Sequence, residues 1–423
     1  MSAEEEASVS RGSVRDLLLL ASARAVATGA GFLVALLLAR ALGPRDYGTW
    51  AMLVALQGQA LLLADCGLRS VATADCGLDA ARLRATLWRY LGLRLALASV
   101  VTGLGLPVAW ALTSATGPAL WLFSCLFASA LFCDWIALAR GRSLEAALPL
   151  ALRPLSFASG LALLLLVSPA LSLDAVAFCC AISWWLAALA SLPAVRHLPP
   201  PRGHPTATPS LLRRALPLGA SSVLAQLLLG LDVLLLGWWL DAAQAGIYQL
   251  AAGVLTAALV FANAAGQLVL ARAGRLRGES PTALTGPTFR LFGLLATGGG
   301  LAVGIGLLAP LLLPLVFGEP FAASVAVLHA LLPWFVLQHA GSFLVGLASG
   351  LARERAVLAA HLWALAVFAL ALPVALWSGD LAWVALCRGL AELVRCLQLS
   401  FAILPRRHHP SSVLTPARGA TSP

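Results

Sequence analysis

The chain has 423 residues, of which 60% are hydrophobic and 11% charged, with a mean hydropathy of +0.90 and a formal net charge of +10. Soluble domains carry about a quarter charged residues. A water-soluble globule is therefore excluded, and repeated apolar runs of about twenty residues, each able to cross roughly 30 Å of hydrocarbon, take its place. The positive charge comes from arginine alone, because the sequence contains no lysine. These arginines are scattered between apolar runs, which argues against a nucleic-acid surface.

The N-terminus is acidic ("MSAEEEAS"), and the apolar run after it is too long for the core of a signal peptide, so it reads as a retained first span. Twelve apolar runs follow in chain order, at about 17–39, 48–66, 88–113, 117–138, 146–168, 173–195, 213–239, 245–267, 288–315, 322–350, 355–377 and 381–404. The expectation is an all-α integral membrane protein. Connections after even-numbered runs carry Arg69, Arg82, Arg84, Arg140, Arg142, Arg196, Arg202, Arg272, Arg275, Arg277, Arg353 and Arg355, whereas those after odd-numbered runs carry only Arg40 and Arg45. The positive-inside rule then places both termini in the cytoplasm, and Trp110, Trp121, Trp238, Trp239, Trp377 and Trp383 fall near the opposite interface.

The arginine-poor connections are short, which leaves no extramembrane domain to hold a soluble-type active site. The one substantial break, "HLPPPRGHPTATPS" at 197–210, is Pro-rich and reads as an extended cytoplasmic linker. It divides the chain into six spans (1–196) and six spans (211–404), with a polar tail at 405–423 that reads as disordered. Eight cysteines lie in or beside apolar runs, and the two "ADCGL" copies at 64–68 and 74–78 do not have zinc-ligand spacing. They read as small buried residues, and no metal or cofactor is expected.

One polar knot interrupts the first half: "LLLARALGPRDYGTW" at 36–50. A related segment, "WLDAAQAGIYQLA" at 239–251, occupies the same place in the second half. Aligning Leu42 with Leu240 also aligns Gly48 with Gly246 and Trp50 with Tyr248. Gly43, Pro44, Tyr47, Gly48, Gly246 and Tyr248 are therefore read as a duplicated structural turn with an aromatic at the re-entry interface. Halves with the same in/out sense suggest parallel repeats about an axis normal to the membrane.

"LLLARALGPRDYGTW" with "LLLADCGLRSVAT", and "LGLDVLLLGWWLDAAQAGIY" at 229–248, resemble the polysaccharide transporter (O-antigen flippase) family of the multidrug/oligosaccharidyl-lipid/polysaccharide (MOP) superfamily. Two departures are visible: Ala74 and Val233 stand where that family often has a basic residue, although Arg69 lies near the first position. The resemblance implies two six-helix bundles around a central cavity. It also implies a non-enzymatic flippase of a bacterial inner membrane, moving undecaprenyl-pyrophosphate-linked oligosaccharide to the outer leaflet for polysaccharide, O-antigen or lipopolysaccharide biosynthesis. Its implied partners are that lipid, the surrounding membrane lipids and polysaccharide assembly proteins. A drug or metabolite antiporter of the same superfamily and a membrane glycan polymerase or ligase are the alternatives.

Ionisable groups inside spans are costly and mark functional candidates. Arg24 is a candidate clamp for the pyrophosphate, since guanidinium pairs with phosphate oxygens in a bidentate fashion, and snorkelling to the interface is the plainer reading. Asp232 reads as an isolated carboxylate able to couple a proton or sodium ion, or as one end of a helix–helix hydrogen bond. Gln57, Gln226 and Asn263 are candidates for sugar contacts, as are Gln59, Gln267 and Gln338, and polar glue between helices is the equal alternative. Arg69 is carried as a substrate candidate by the resemblance. Arg94 and Arg153 read as snorkelling, and His339 and His361 as packed. No metalloprotease, P-loop or nucleophile-elbow motif is present, so no catalytic residue is expected.

Overall fold

In a computed structural model of the protein, Gly43 divides a single long helix, α1 (Ala3–Asp65), into two crossings. The structure describes residues 3–168, 170–202, 206–260, 262, 263, 266, 269, 285–351 and 353–403. The tail at 405–423, Gln267 and the arginines at 272, 275 and 277 lie outside them, as does part of the linker. Gly43 adopts φ 69°, a left-handed value that glycine reaches without a Cβ penalty, and Pro44 opens the helix that resumes after it. The remaining helices of the first half are α2 (Leu68–Leu78), α3 (Ala80–Thr113), α4 (Thr116–Ala130), α5 (Asp134–Ala139), α6 (Ser143–Val167) and α7 (Leu173–Ser191). The second half contains α8 (Thr208–Trp239), α9 (Ala242–Ala258), α10 (Thr285–Phe317), α11 (Ser324–Gly350), α12 (Glu354–Ser378) and α13 (Leu381–Ile403).

Nine of these, among the described residues, are long and apolar enough to cross a membrane by length and composition. The first of the nine holds two crossings. Helices α9, with 17 residues, and α13, which carries Arg388, Glu392 and Arg395, complete the expected twelve. The fourth expected run is broken into α4 and α5, and the short α2 is an addition at the arginine-rich end. Two polar caps set the second-half and first-half re-entries: Asp241 accepts from the Gln244 amide at 2.8 Å, and Ser172 from the Ala175 amide at 3.2 Å.

Packing differs between the two ends. Toward the arginine-poor end a single buried apolar cluster runs through both halves, from Leu38 and Met52 through Val233 and Tyr248 to Phe335 and Phe368. Toward the arginine-rich end it divides. One cluster joins Leu68, Tyr90 and Trp135 to the base of α8 at Leu211 and Ala215, and another joins Phe343 and Leu347 to Val357 and Leu399. Large apolar side chains such as Leu166, Leu307, Leu370 and Trp377 remain exposed around the outside, a surface suited to lipid and not to water. Trp110, Trp121, Trp238, Trp239, Trp377 and Trp383 are all exposed.

The duplicated knot joins the halves. Gly48 and Gly246 are both helical, not turn residues as the sequence suggested; only Gly43 has left-handed backbone. Their role is close approach. A Cβ on Gly48 would overlap the Ala242 carbonyl and lie 2.8 Å from the Gly246 nitrogen, and one on Gly246 would overlap the Pro44 carbonyl and lie 3.0 Å from the Gly48 nitrogen. This reciprocity is what two repeats related by a two-fold axis produce, with small residues admitting backbone-to-backbone contact. The aromatics differ from expectation too, because Trp50 and Tyr248 are buried and not interfacial. Tyr47 packs edge-on against Phe321 at 5.7 Å. Arg40 donates to the Val316 and Leu315 carbonyls at 2.6 and 2.7 Å, capping the C-terminus of α10 from the other half.

Any side chain at either crossing glycine is therefore expected to push the halves apart. Gly48→Val and Gly246→Val should each lower the yield of monodisperse, detergent-solubilised protein at least several-fold, in line with overpacking costs of about 1–3 kcal/mol or more. Gly253→Ala, on α9 with open space around it, should leave the yield unchanged. Fluorescence-detected size exclusion provides the measurement, and normal yield in the valine variants would contradict the packing assignment.

Candidate functional site: two cavities meeting at a buried ion pair

Asp232 sits seven residues before the end of α8 and Arg388 seven residues after the start of α13, so both lie about 10 Å in from the arginine-poor end. The Asp232 carboxylate is completely buried and fully engaged. One oxygen accepts from the Tyr248 hydroxyl at 2.7 Å and from Arg388 Nη1 at 2.9 Å, and the other accepts from the Val233 amide at 2.9 Å. The guanidinium of Arg388 also stacks on the Trp334 ring at 4.1 Å. Asp232 is thus not the isolated carboxylate read from sequence. A tethered cation already neutralises it, and a buried pair of this kind is strongly destabilised when one partner is removed, by about 3–5 kcal/mol.

Two cavities open from this pair. The first, of about 460 Å³, lies between the halves, bounded by the first crossing of α1 (Thr28, Gly31, Phe32, Ala35) and by α8 and α9. Thr28, Tyr47, Gln226, Gln249, Thr256 and Arg388 are its polar lining. Gly58 makes room for Gln226, whose amide nitrogen would lie 3.2 Å from a Cβ there. The second, of about 520 Å³, lies within the second half between α8, α11, α12 and α13. It extends from Ser349 and Val357, beside the arginine-rich end, to Trp334 and Arg388. Leu229 and Arg388 line both cavities.

A second charged cluster stands on the wall of the larger cavity. Arg395 donates to Glu392 at 2.5 Å and to the Gln338 carbonyl oxygen at 3.0 Å, and its other terminal nitrogen lies 3.4 Å from His361 Nε2. His361 Nδ1 lies 2.8 Å from the Val357 carbonyl. The proton therefore belongs on Nδ1, leaving Nε2 to accept from Arg395. The Nε atoms of Arg388 and Arg395 are buried without a hydrogen-bond partner among the described residues.

The sequence candidates separate cleanly on this geometry. Gln226 lines the inter-half cavity, and Asn263 lines the second-half cavity, where its side-chain oxygen accepts from Ser342 at 3.4 Å. Gln57 lines neither: it is buried and donates to the Leu122 carbonyl at 2.9 Å, fastening α1 to α4. Arg69 pairs with Asp134 at 2.5 Å on the arginine-rich face, away from both cavities. Arg94 does not snorkel; it is buried, pairs with Asp65 at 3.2 Å and donates to the Ser129 and Phe132 carbonyls. Arg153 stacks on Trp184 at 4.3 Å. Among the turn residues, Tyr47 lines the inter-half cavity and Tyr248 holds Asp232.

Arg24 lies one turn from Thr28, toward the arginine-rich end, on the helical stripe that Thr28, Gly31, Phe32 and Ala35 continue into the inter-half cavity. The Thr28 hydroxyl donates to its carbonyl at 2.9 Å. Its side chain is exposed, makes no hydrogen bond or ion pair to any described residue, and is not among the residues lining the cavity, which begins one turn away at Thr28. Arg388, Glu392 and Arg395 are absent from the sequence candidates. Their signal was present in "CRGLAELVRC", where three charges at i, i+4 and i+7 mark one face of an otherwise apolar helix.

A family model described as polysaccharide biosynthesis protein matches residues 13–271. Among solved structures, an inward-facing multidrug resistance MATE family transporter of the MOP superfamily superposes with a TM-score of 0.73 at 16% identity, covering 89% of this chain and 94% of its own. Lipid II flippase MurJ, in an inward closed conformation, superposes with a TM-score of 0.71 at 12% identity over 91% of this chain and 87% of its own. A MOP superfamily transporter from Pyrococcus furiosus gives a TM-score of 0.64 at 15% identity over 92% and 95% of the two chains. No curated protein sequence matches the chain. At these identities the structural likeness establishes the fold alone, while the sequence match covers more than half the chain. The protein is a multi-pass membrane protein that belongs to the polysaccharide biosynthesis protein family and has the fold of the MOP-superfamily transporters.

Proposed function

We propose that this protein is a flippase that carries a lipid-linked oligosaccharide from the inner to the outer leaflet of a bacterial inner membrane, using the inter-half cavity as its path. The observation that carries the reading is Arg24: an exposed guanidinium with no partner among the described residues, one helical turn from Thr28 on the wall of a polar-lined cavity between two helical halves. A pyrophosphate is the ligand that such a cation fits, and its charge would offset part of the cost of desolvating the head group. Gln226, Gln249, Thr28 and Thr256 supply neutral hydrogen-bonding groups further in. The family match to polysaccharide biosynthesis and the fold shared with lipid II flippase MurJ support the same substrate class. An arginine with no partner among the described residues, one turn from the cavity, disfavours the cationic drugs that an antiporter reading would require. In this reading Asp232 holds Arg388 in place and does not bind a coupling ion, because a free cation would have to displace a tethered one.

Two outcomes follow. Glycan export in a strain deleted for the gene should be restored fully by the wild-type chain, partly by Arg24→Lys and less than a tenth as well by Arg24→Gln or Arg24→Ala at matched membrane levels, because a point charge replaces only part of a bidentate clamp. Full export by the glutamine and alanine variants would exclude the clamp. Reporter fusions after residues 115, 242 and 379 should report the external side and a fusion after residue 78 the cytoplasm, as the arginine distribution requires. A cytoplasmic signal at 242 would invert the proposed orientation of the second half.

A further inference from the structure

We propose that the cavity inside the second half receives uncharged sugar units of the glycan, while the anionic head group remains in the cavity between the halves. This rests on the lipid-linked oligosaccharide reading above and divides that substrate between two sites. The two cavities differ in charge balance. In the second-half cavity each guanidinium already has its own carboxylate, Arg388 with Asp232 at 2.9 Å and Arg395 with Glu392 at 2.5 Å. Its formal charge is therefore zero, and an incoming phosphate or carboxylate would arrive as an uncompensated charge in a low-dielectric space. Beside the inter-half cavity, one turn from Thr28, Arg24 has no partner among the described residues, so the anion is assigned to that side.

What the second-half cavity does offer is a dense set of neutral and already neutralised hydrogen-bonding groups. Glu392 provides acceptors, Asn263 and Gln338 provide amides that both donate and accept, and the Ser222 and Ser342 hydroxyls, which already donate to the Leu218 carbonyl and to Asn263, provide acceptor lone pairs. Sugar hydroxyls, which donate and accept at once, are the complement of such a wall. Arg388 and Arg395 lie seven residues apart on α13, about 10 Å along the helix, and the cavity volume of about 520 Å³ suits a short oligosaccharide. Leu229 and Arg388 border both cavities, so the two spaces are neighbours, and the proposal has one ligand pass these side chains to hold its head group in the first and its sugars in the second.

The test is equilibrium binding to the full-length protein in lipid nanodiscs, with three synthetic undecaprenyl-pyrophosphate probes. These carry one neutral hexose, a linear tetrasaccharide of the same hexose, and a tetrasaccharide whose distal units are uronic acids. The wild type should bind the neutral tetrasaccharide lipid at least fivefold more tightly than the monosaccharide lipid, with no such advantage for the acidic one. Gln338→Leu, which removes a polar wall group, and Ser342→Leu, which fills space, should abolish that advantage while leaving monosaccharide-lipid binding within twofold of wild type. That retained binding reports that the variants fold. Arg24→Gln should weaken all three probes alike. Equal wild-type binding of the two neutral probes, tighter binding of the acidic probe, or an advantage that survives both leucine variants would overturn the assignment of sugars to this cavity. Wild-type protein that binds none of the three lipids would instead overturn the flippase reading on which it rests.

Discussion

Placing a charge in hydrocarbon is expensive, and this chain's architecture is organised around how each such charge is neutralised. Deep in the second half, Asp232, Tyr248 and Arg388 tie α8, α9 and α13 together at one level. Half a helix away, Arg395 and Glu392 pair on α13 and draw in Gln338 from α11 and His361 from α12. In the first half Arg94 pairs with Asp65 and closes the C-terminal carbonyls of α4, and Arg153 lies over Trp184. These are interactions between helices, so neutralising the charges also fixes the packing. Arg24 is different: it is exposed and no described residue satisfies it, one turn from the cavity-lining Thr28.

The arrangement of the halves follows from two local devices. Gly48 and Gly246 let the two re-entrant helices cross with their backbones in contact, and Arg40 fastens the end of α10 to the first half. Both devices lie toward the arginine-poor end, where the apolar core is continuous. Toward the other end the core divides, and the larger cavity begins there, between the base of α8 and the three last helices. The cavity inside the second half reaches the arginine-rich end at Ser349 and Val357, whereas the cavity between the halves runs from Thr28 and Gln226 at mid-helix toward Tyr47 and Phe317 near the arginine-poor end. A ligand arriving from the arginine-rich side meets Arg24 before it meets the buried pair.

Much of this was legible in the sequence because hydrophobic runs of fixed length, punctuated by arginine, leave little freedom in a membrane. The all-helical, multi-spanning character was read directly, although the break between the first two crossings narrows to a kink at Gly43 and Pro44 inside one long helix. The likeness of the two knots was visible, but not its purpose. Gly48 looked like a turn residue because a glycine that avoids a steric clash and one that adopts left-handed backbone are the same letter. Asp232 was visible as an intramembrane acid, whereas its partner is 156 residues away and only the fold brings them together. Gln57 and Gln226 were indistinguishable as letters. The structure separates them, one against the Leu122 carbonyl and the other facing open space. Arg388, Glu392 and Arg395 were recoverable from their i, i+4, i+7 spacing, since three charges on one face of a membrane helix require partners inside the protein.

In the function proposed here, a cation with no partner among the described residues marks the path of an anionic lipid through a protein whose sequence carries no P-loop motif. That function is tested most directly by reconstituting the purified chain into sealed vesicles loaded in one leaflet with a fluorescent undecaprenyl-pyrophosphate-linked oligosaccharide, and following its arrival in the other with a membrane-impermeant quencher. The account predicts protein-dependent transfer that proceeds without ATP and is competed by unlabelled lipid of the same kind. Transfer no faster than in protein-free vesicles, under every imposed potential and ion gradient, would contradict it.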